Sequence, residues 1–165
     1  MNIRSASLMA LCLCAASQTY AQDGSSCGNA IRLVSPSFLN VDTTAATNWM
    51  TVFGPLPSPS NDIVYTFTLP AGVTPTGSIT PTAANYPFAL YLVPGCSDLG
   101  AQPVPIGATA TVGRAIDVTD AGVTGGNTYY LAVTGTAAGG PGANGTVSID
   151  INITTPVTLQ SFTVD

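Results

Sequence analysis

Residues Asn61 to Pro70 read NDIVYTFTLP, with Ile63, Tyr65, Phe67 and Leu69 on one parity and Asp62, Val64, Thr66 and Thr68 on the other. Alternation with a period of two marks a half-buried β-strand, because successive side chains leave opposite faces of the pleat. β-Branched and aromatic residues suit that surface, and Pro70 with Gly72 closes it. The set from Ile63 to Leu69 is assigned to the space between two sheets, and the set from Asp62 to Thr68 to the outside. On this reading the strand anchors the fold and carries no chemistry.

The same pattern recurs on either side. Upstream, a short turn at Cys27 precedes Ile31 and Leu33, and Phe38 to Thr44 sets Leu39 and Val41 against Asn40 and Asp42. Downstream, Tyr86 to Val93 places Tyr86, Phe88, Leu90 and Leu92 opposite Ala89, Tyr91 and Val93, so both faces of that strand are covered. Thr128 to Thr134 alternates Tyr129, Leu131 and Val133 with Tyr130, Ala132 and Thr134. The cleanest case is Thr146 to Thr154, where Val147, Ile149, Ile151 and Ile153 face away from Ser148, Asp150 and Asn152.

Between these lie weaker stretches. Residues 45–60, AATNWMTVFGPLPSPS, end in an extended loop because Pro55, Pro57 and Pro59 alternate, with Trp49 and Phe53 on the approach. Gly77 to Thr80 is a short strand apolar only at Ile79, and Pro81 to Asn85 reads as a turn. Residues 100–113 read as loop with at most an edge strand, since Pro103 and Pro105 exclude a central one. Ala115 to Thr119 sets Ile116 and Val118 against Asp117 and Thr119, and Gly135 to Gly145 reads as a flexible hairpin loop. No apolar period of 3.6 is sustained, and Glu and Lys are absent. About seven to nine short strands predict an all-β, antiparallel two-sheet sandwich of jelly-roll type.

Both ends of the chain read differently from its middle. Arg4, the apolar run Leu8 to Ala16 and the small residue Ala21 have the layout of a signal peptide over residues 1–21. The apolar run is far shorter than the roughly 20 residues of a membrane span. A lipid anchor on Cys12 or Cys14 is a lesser alternative, since both follow leucine where such sites want a small residue. Cleavage before Gln22 leaves 165 − 21 = 144 residues, enough for one domain over 22–154 and a tail over 155–165. In that tail Val157 and Leu159 differ in parity from Phe162 and Val164, so it is either bulged or in two extended pieces. It either pairs within its own sheet, adds to a neighbour's sheet edge, or hangs as a loose tail, and the first and last are favoured because solitary tails are more often frayed than functional.

The mature chain retains Arg32, Arg114 and eight aspartates, a net charge of 2 − 8 = −6, with no histidine. Nucleic acid is excluded as a partner because phosphates are gripped by clustered cations, and anionic membranes are disfavoured for the same reason. Cys27 and Cys96 remain as one pair, read as a disulfide in a secretory compartment. Closing a loop of about 70 residues is worth about 3 to 4 kcal/mol on the chain-entropy model. Two cysteines without histidine make a poor zinc site.

CGNAI from Cys27, NDIVYTFTLP, FALYLVPGCSDL from Phe88 and TYYLAVTG from Thr128 occur in an order that resembles bacterial pre-peptidase C-terminal domains, over about residues 27–153. The resemblance implies a jelly-roll module similar to collagen-binding domains, a non-catalytic binding or maturation unit usually appended to secreted hydrolases. Two departures stand out. Pro87 occupies a position where such domains often have aspartate before the leucine-rich strand, and AQPVPIGATA follows it in place of an acidic stretch. Calcium binding of the family kind is therefore not supported here, and no cofactor is assigned.

The chemistry-bearing residues are few. Without histidine or lysine there is no Ser-His-Asp, Cys-His or Ser-Lys arrangement, so the chain is read as no enzyme. Asp117 and Asp120 lie close enough in sequence for a carboxylate pair suited to calcium or glycosidase chemistry. Their ordinary reading is an outward strand residue and a turn residue. Tyr91 and Tyr130 oppose the main apolar sets of their strands and, with Trp49, are the candidates for stacking on a sugar or peptide. Inter-sheet packing is the ordinary reading of the tyrosines. The functional expectation is a secreted or cell-surface module, periplasmic or extracellular, that binds or adheres to a glycan, peptide or cell surface. The alternative is a structural subunit of an extracellular fibre that self-associates through its C-terminal strand.

Overall fold

The computed structural model describes residues 23–49, 52–53, 56–57, 60–96, 105–136 and 143–155. Residues 1–21, read above as a signal peptide, and residues 156–165 of the tail lie outside these. Two sheets sandwich the core. The first has five strands in the spatial order β1 (Ile31–Arg32), β5 (Asp62–Thr68), β10 (Thr128–Gly135), β7 (Phe88–Val93), β8 (Gly107–Thr109). The second has four, in the order β2 (Ser37–Asp42), β11 (Thr146–Thr154), β6 (Thr76–Ala84), β9 (Ile116–Asp117). A separate ribbon pairs β3 (Val52–Phe53) with β4 (Leu56–Pro57). Every pairing in the two sheets is antiparallel except that of β1 with β5.

Leaving out β1 and the ribbon, β2, β5, β6, β7, β8, β9, β10 and β11 rank first to eighth along the chain. The four-stranded sheet then runs first, eighth, third, sixth, and the larger sheet second, seventh, fourth, fifth. This is the interleaved order of an eight-stranded jelly roll, in which most connections cross from one sheet to the other. The segment from β10 to β11 is one of these crossings. The hairpin expected over Gly135 to Gly145 is therefore overturned, because its flanking strands belong to different sheets.

The main core forms where the inward parities of the two sheets meet. Tyr65, Phe67 and Leu69 follow β5 inward and pack with Phe88, Leu90 and Leu92 of β7 and Leu131 and Val133 of β10. Val147, Ile149, Ile151 and Ile153 face them from β11. Phe67 and Tyr129 stack with ring centroids 5.6 Å apart. The Tyr129 hydroxyl accepts the Thr124 N–H at 2.7 Å and donates to the Thr124 carbonyl at 3.2 Å, which fixes the loop entering β10.

A second correction concerns Pro81 to Asn85. Instead of turning, the chain continues as strand through Ala84, and β6 is nine residues long. Ser148 of β11 pairs with Ala83 and Ile149 with Pro81, so Thr82 is the extra residue of a bulge. A bulge accommodates a proline inside a sheet because the ladder is already interrupted there.

Candidate binding face

The outward face of the five-stranded sheet is where the structure departs most from a simple solvated surface. Strand register arranges its side chains in rows across the strands. Asp62, Thr134 and Ala89 form one row, and Val64, Ala132, Tyr91 and Ala108 the next. Arg32, Thr66, Tyr130 and Val93 form the third, and Thr68 and Thr128 the fourth. Tyr91 and Tyr130 thus stand on the same face, diagonally across neighbouring strands, as their parity requires.

This face carries its own apolar cluster. Val64, Val93 and Ala132 are fully buried, beneath Cys27 and Ala30, and Trp49, Tyr91 and Tyr130 pack around them half-buried. Alternation assigns Val64 to the outward face. It does leave the main core, but the chain itself covers it. The cover is the segment from Gly24 to Ala30, a loop closed by the Gly24 N–H donating to the Asn29 carbonyl at 2.9 Å, with the Ser26 hydroxyl capping the short turn at Cys27–Asn29. The Cys27–Cys96 disulfide, Cα to Cα 5.6 Å, ties that loop to the chain just beyond β7. The Val64 N–H donates to the Gly24 carbonyl at 2.9 Å, docking the loop on the edge of β5. Gly24 has φ of +71°, and a Cβ there would stand 2.8 Å from Ile63 Cγ2, so glycine is required for this approach.

Asp62 is the largest correction to the outward set, with none of its surface exposed. Its Oδ2 accepts the Trp49 N–H at 2.9 Å, and its own N–H donates to the Thr47 carbonyl at 3.0 Å. The carboxylate therefore clamps residues 47–49 against the start of β5 and sets Trp49 over the outer cluster. Sequence alternation could not reveal this, because the acceptor and the segment it holds are 13 residues apart and belong to different strands' surroundings, outside the reach of a period of two. Arg32 was likewise not singled out from the sequence; the parallel register of β1 with β5 places it beside Thr66 and in line with Tyr130.

The three candidate aromatics are thus brought together, in an environment intermediate between packing and contact. Burial pushes the Tyr91 hydroxyl above its ordinary pKa. The candidate carboxylates lie elsewhere. Asp117, exposed at the end of β9, accepts the Asp120 N–H at 3.1 Å and the Thr119 N–H at 2.8 Å, and these bonds hold its carboxyl below the usual range. This is the turn-stabilising use of aspartate. Asp117 and Asp120 both line a shallow depression of about 230 Å³ with Ile106, Ala108 and Ile116. Among the described residues no three metal-ligating side chains come together. A further cleft of about 240 Å³ opens at one end of the sandwich between Leu33, Leu69 and Ile153. That is below the roughly 300 Å³ at which pockets for drug-sized ligands begin.

The disulfide is a feature of proteins that fold in oxidising compartments. Among the described residues no helix is long and apolar enough to cross a membrane. Comparison with protein-family models, with curated proteins and with solved structures finds no match for this chain.

Proposed function

We propose that this chain is a secreted or cell-surface, non-catalytic binding module of the pre-peptidase C-terminal type, which attaches to an extracellular glycan, peptide or cell surface through the outward face of its five-stranded sheet. The observation that carries the proposal is the convergence of Trp49, Tyr91 and Tyr130 on that face, each half-buried against the same apolar cluster. Rings held at this depth present an apolar surface at low entropic cost, because packing has already restricted their rotamers. The hydroxyls of Thr68 and Thr128, 2.8 Å apart on the same face, add the polar groups a sugar or peptide backbone needs. The jelly-roll topology supports the resemblance, since it is the fold the resemblance implies.

The test is binding of the purified mature chain to immobilised glycans and matrix proteins. Saturable binding is expected to at least one class, weakened about three- to tenfold by Trp49→Ala or Tyr91→Ala, the loss of one aromatic contact. Phenylalanine at position 91 should retain most of it. Binding unchanged by all of these replacements would remove the face from consideration.

A further inference from the structure

The third row of the outward face joins two residue types that recognise one chemistry. Arg32 and Tyr130 flank Thr66 on its two sides, Arg32 through the parallel pairing of β1 and Tyr130 through the antiparallel pairing of β10. Paired residues in adjacent strands point to the same side, so both side chains start from the outward face. With strands about 4.8 Å apart, their backbones are about 10 Å apart. An arginine side chain and one sugar ring together span that gap. Arg32 is exposed at the edge of the sheet, and no ion pair engages it among the described residues. The Thr66 hydroxyl between the two residues is turned to the Tyr129 carbonyl, to which it donates at 3.2 Å. In the next row the Thr68 and Thr128 hydroxyls lie against each other and face outward.

We propose that the ligand of this face is a carboxylated sugar, a uronate unit of an acidic polysaccharide, with its ring against Tyr130 and its carboxylate on the Arg32 guanidinium. The inference rests on the binding role proposed above and names the substrate class. A planar guanidinium pairs with a carboxylate through two parallel hydrogen bonds, and an aromatic face takes the apolar side of a pyranose. Local charge selects the ligand here against the chain's overall sign. From Gln22 onward the net charge of 2 − 8 = −6 repels a polyanion at long range, but screening over about 8 Å at physiological salt confines that repulsion, while the contact with Arg32 is made within it.

Calorimetric titration with trigalacturonate and with cellotriose tests the proposal. The wild-type chain is expected to bind trigalacturonate at least tenfold more tightly than cellotriose, and less tightly when sodium chloride is raised from 150 to 500 mM. Arg32→Gln removes that preference and its salt dependence, bringing trigalacturonate down to the cellotriose affinity of the same variant; Arg32→Lys restores part of it. Tyr130→Ala weakens both sugars. Thermal melts of each variant confirm that the exposed substitution leaves the fold intact. Equal wild-type affinity for the two sugars, or an Arg32→Gln chain that still prefers trigalacturonate, overturns the inference and leaves the binding face standing. Failure of both sugars to bind overturns the glycan reading along with it.

Discussion

Asp62 shows how much one buried carboxylate organises. It sits at the first position of β5, fully enclosed, and its bond to the Trp49 backbone fastens residues 47–49 to the start of that strand. Asp62→Ala removes that acceptor from the part-buried Trp49 N–H, so we expect a loss of about 1 to 3 kcal/mol in urea unfolding. Asp62→Asn, which keeps an acceptor in place, should lose less. Trp49 is the chain's single tryptophan, so its emission reports the local release directly and should shift to the red in the alanine variant. Gly77 illustrates a different constraint. Its φ is +116°, and a side chain would run into the carbonyl of Asn152 on β11. Gly77→Ala is therefore expected to cost more than about 1 kcal/mol by the same measurement, because both the backbone conformation and the space oppose it.

The loop from Gly24 to Ala30 and strand β1 form one unit, held by the disulfide at one end and by pairing with β5 at the other. Replacing Cys27 and Cys96 together by alanine should lower stability by about 2 to 4 kcal/mol. It should also increase binding of a hydrophobic dye, since Val64, Val93 and Ala132 lie beneath the loop. Wild-type dye binding in the double variant would mean that the loop stays docked by its hydrogen bonds alone. Strand β6 makes the complementary point. Proline within it is accommodated by a bulge, and the free Pro81 carbonyl accepts the Gly113 N–H at 2.7 Å, so the interruption is used to hold a neighbouring turn.

The pH dependence of the whole molecule follows from its composition. From Gln22 onward the side chains that titrate are aspartates and tyrosines, since histidine, lysine and glutamate are absent and Cys27 and Cys96 are joined. Asp42 and Asp117 have folded-state pKa values lowered from 3.8, Asp42 by the Thr44 hydroxyl and N–H, Asp117 by the Asp120 and Thr119 N–H groups. A lowered folded-state value means the unfolded chain binds protons first, so this stability is present above about pH 4 and lost as pH falls further. At the other end burial raises Tyr65 to about 12 and lifts Tyr86 and Tyr91 above 10. The unfolded chain then releases its protons first, so stability is full below pH 10 and declines from there towards pH 12. Urea midpoints measured across pH should show a plateau from about 5 to 9 with falls on both sides. A marked slope inside the plateau would contradict this account.

Alternation was sufficient to place the inward residues. Val147, Ile149, Ile151 and Ile153, or Tyr129, Leu131 and Val133, point to the core because a strand with one apolar parity has only one way to bury it. Cys27 and Cys96, the two cysteines downstream of the apolar N-terminal run, pair in the intramolecular disulfide their isolation predicts. Local pattern could not extend to what covers a sheet from outside. Val64 and Asp62 share a parity with Thr66 and Thr68, yet the first two are buried and the others are not, because two distant segments cross over one end of the face. The alignment of Arg32 with Tyr130 arises in the same way, from a parallel pairing between residues more than thirty positions apart. Period and composition determine which side of its own strand a residue takes. Which chain lies against that side depends on the long-range register of the jelly roll, and so the candidate binding face emerged only from the folded molecule.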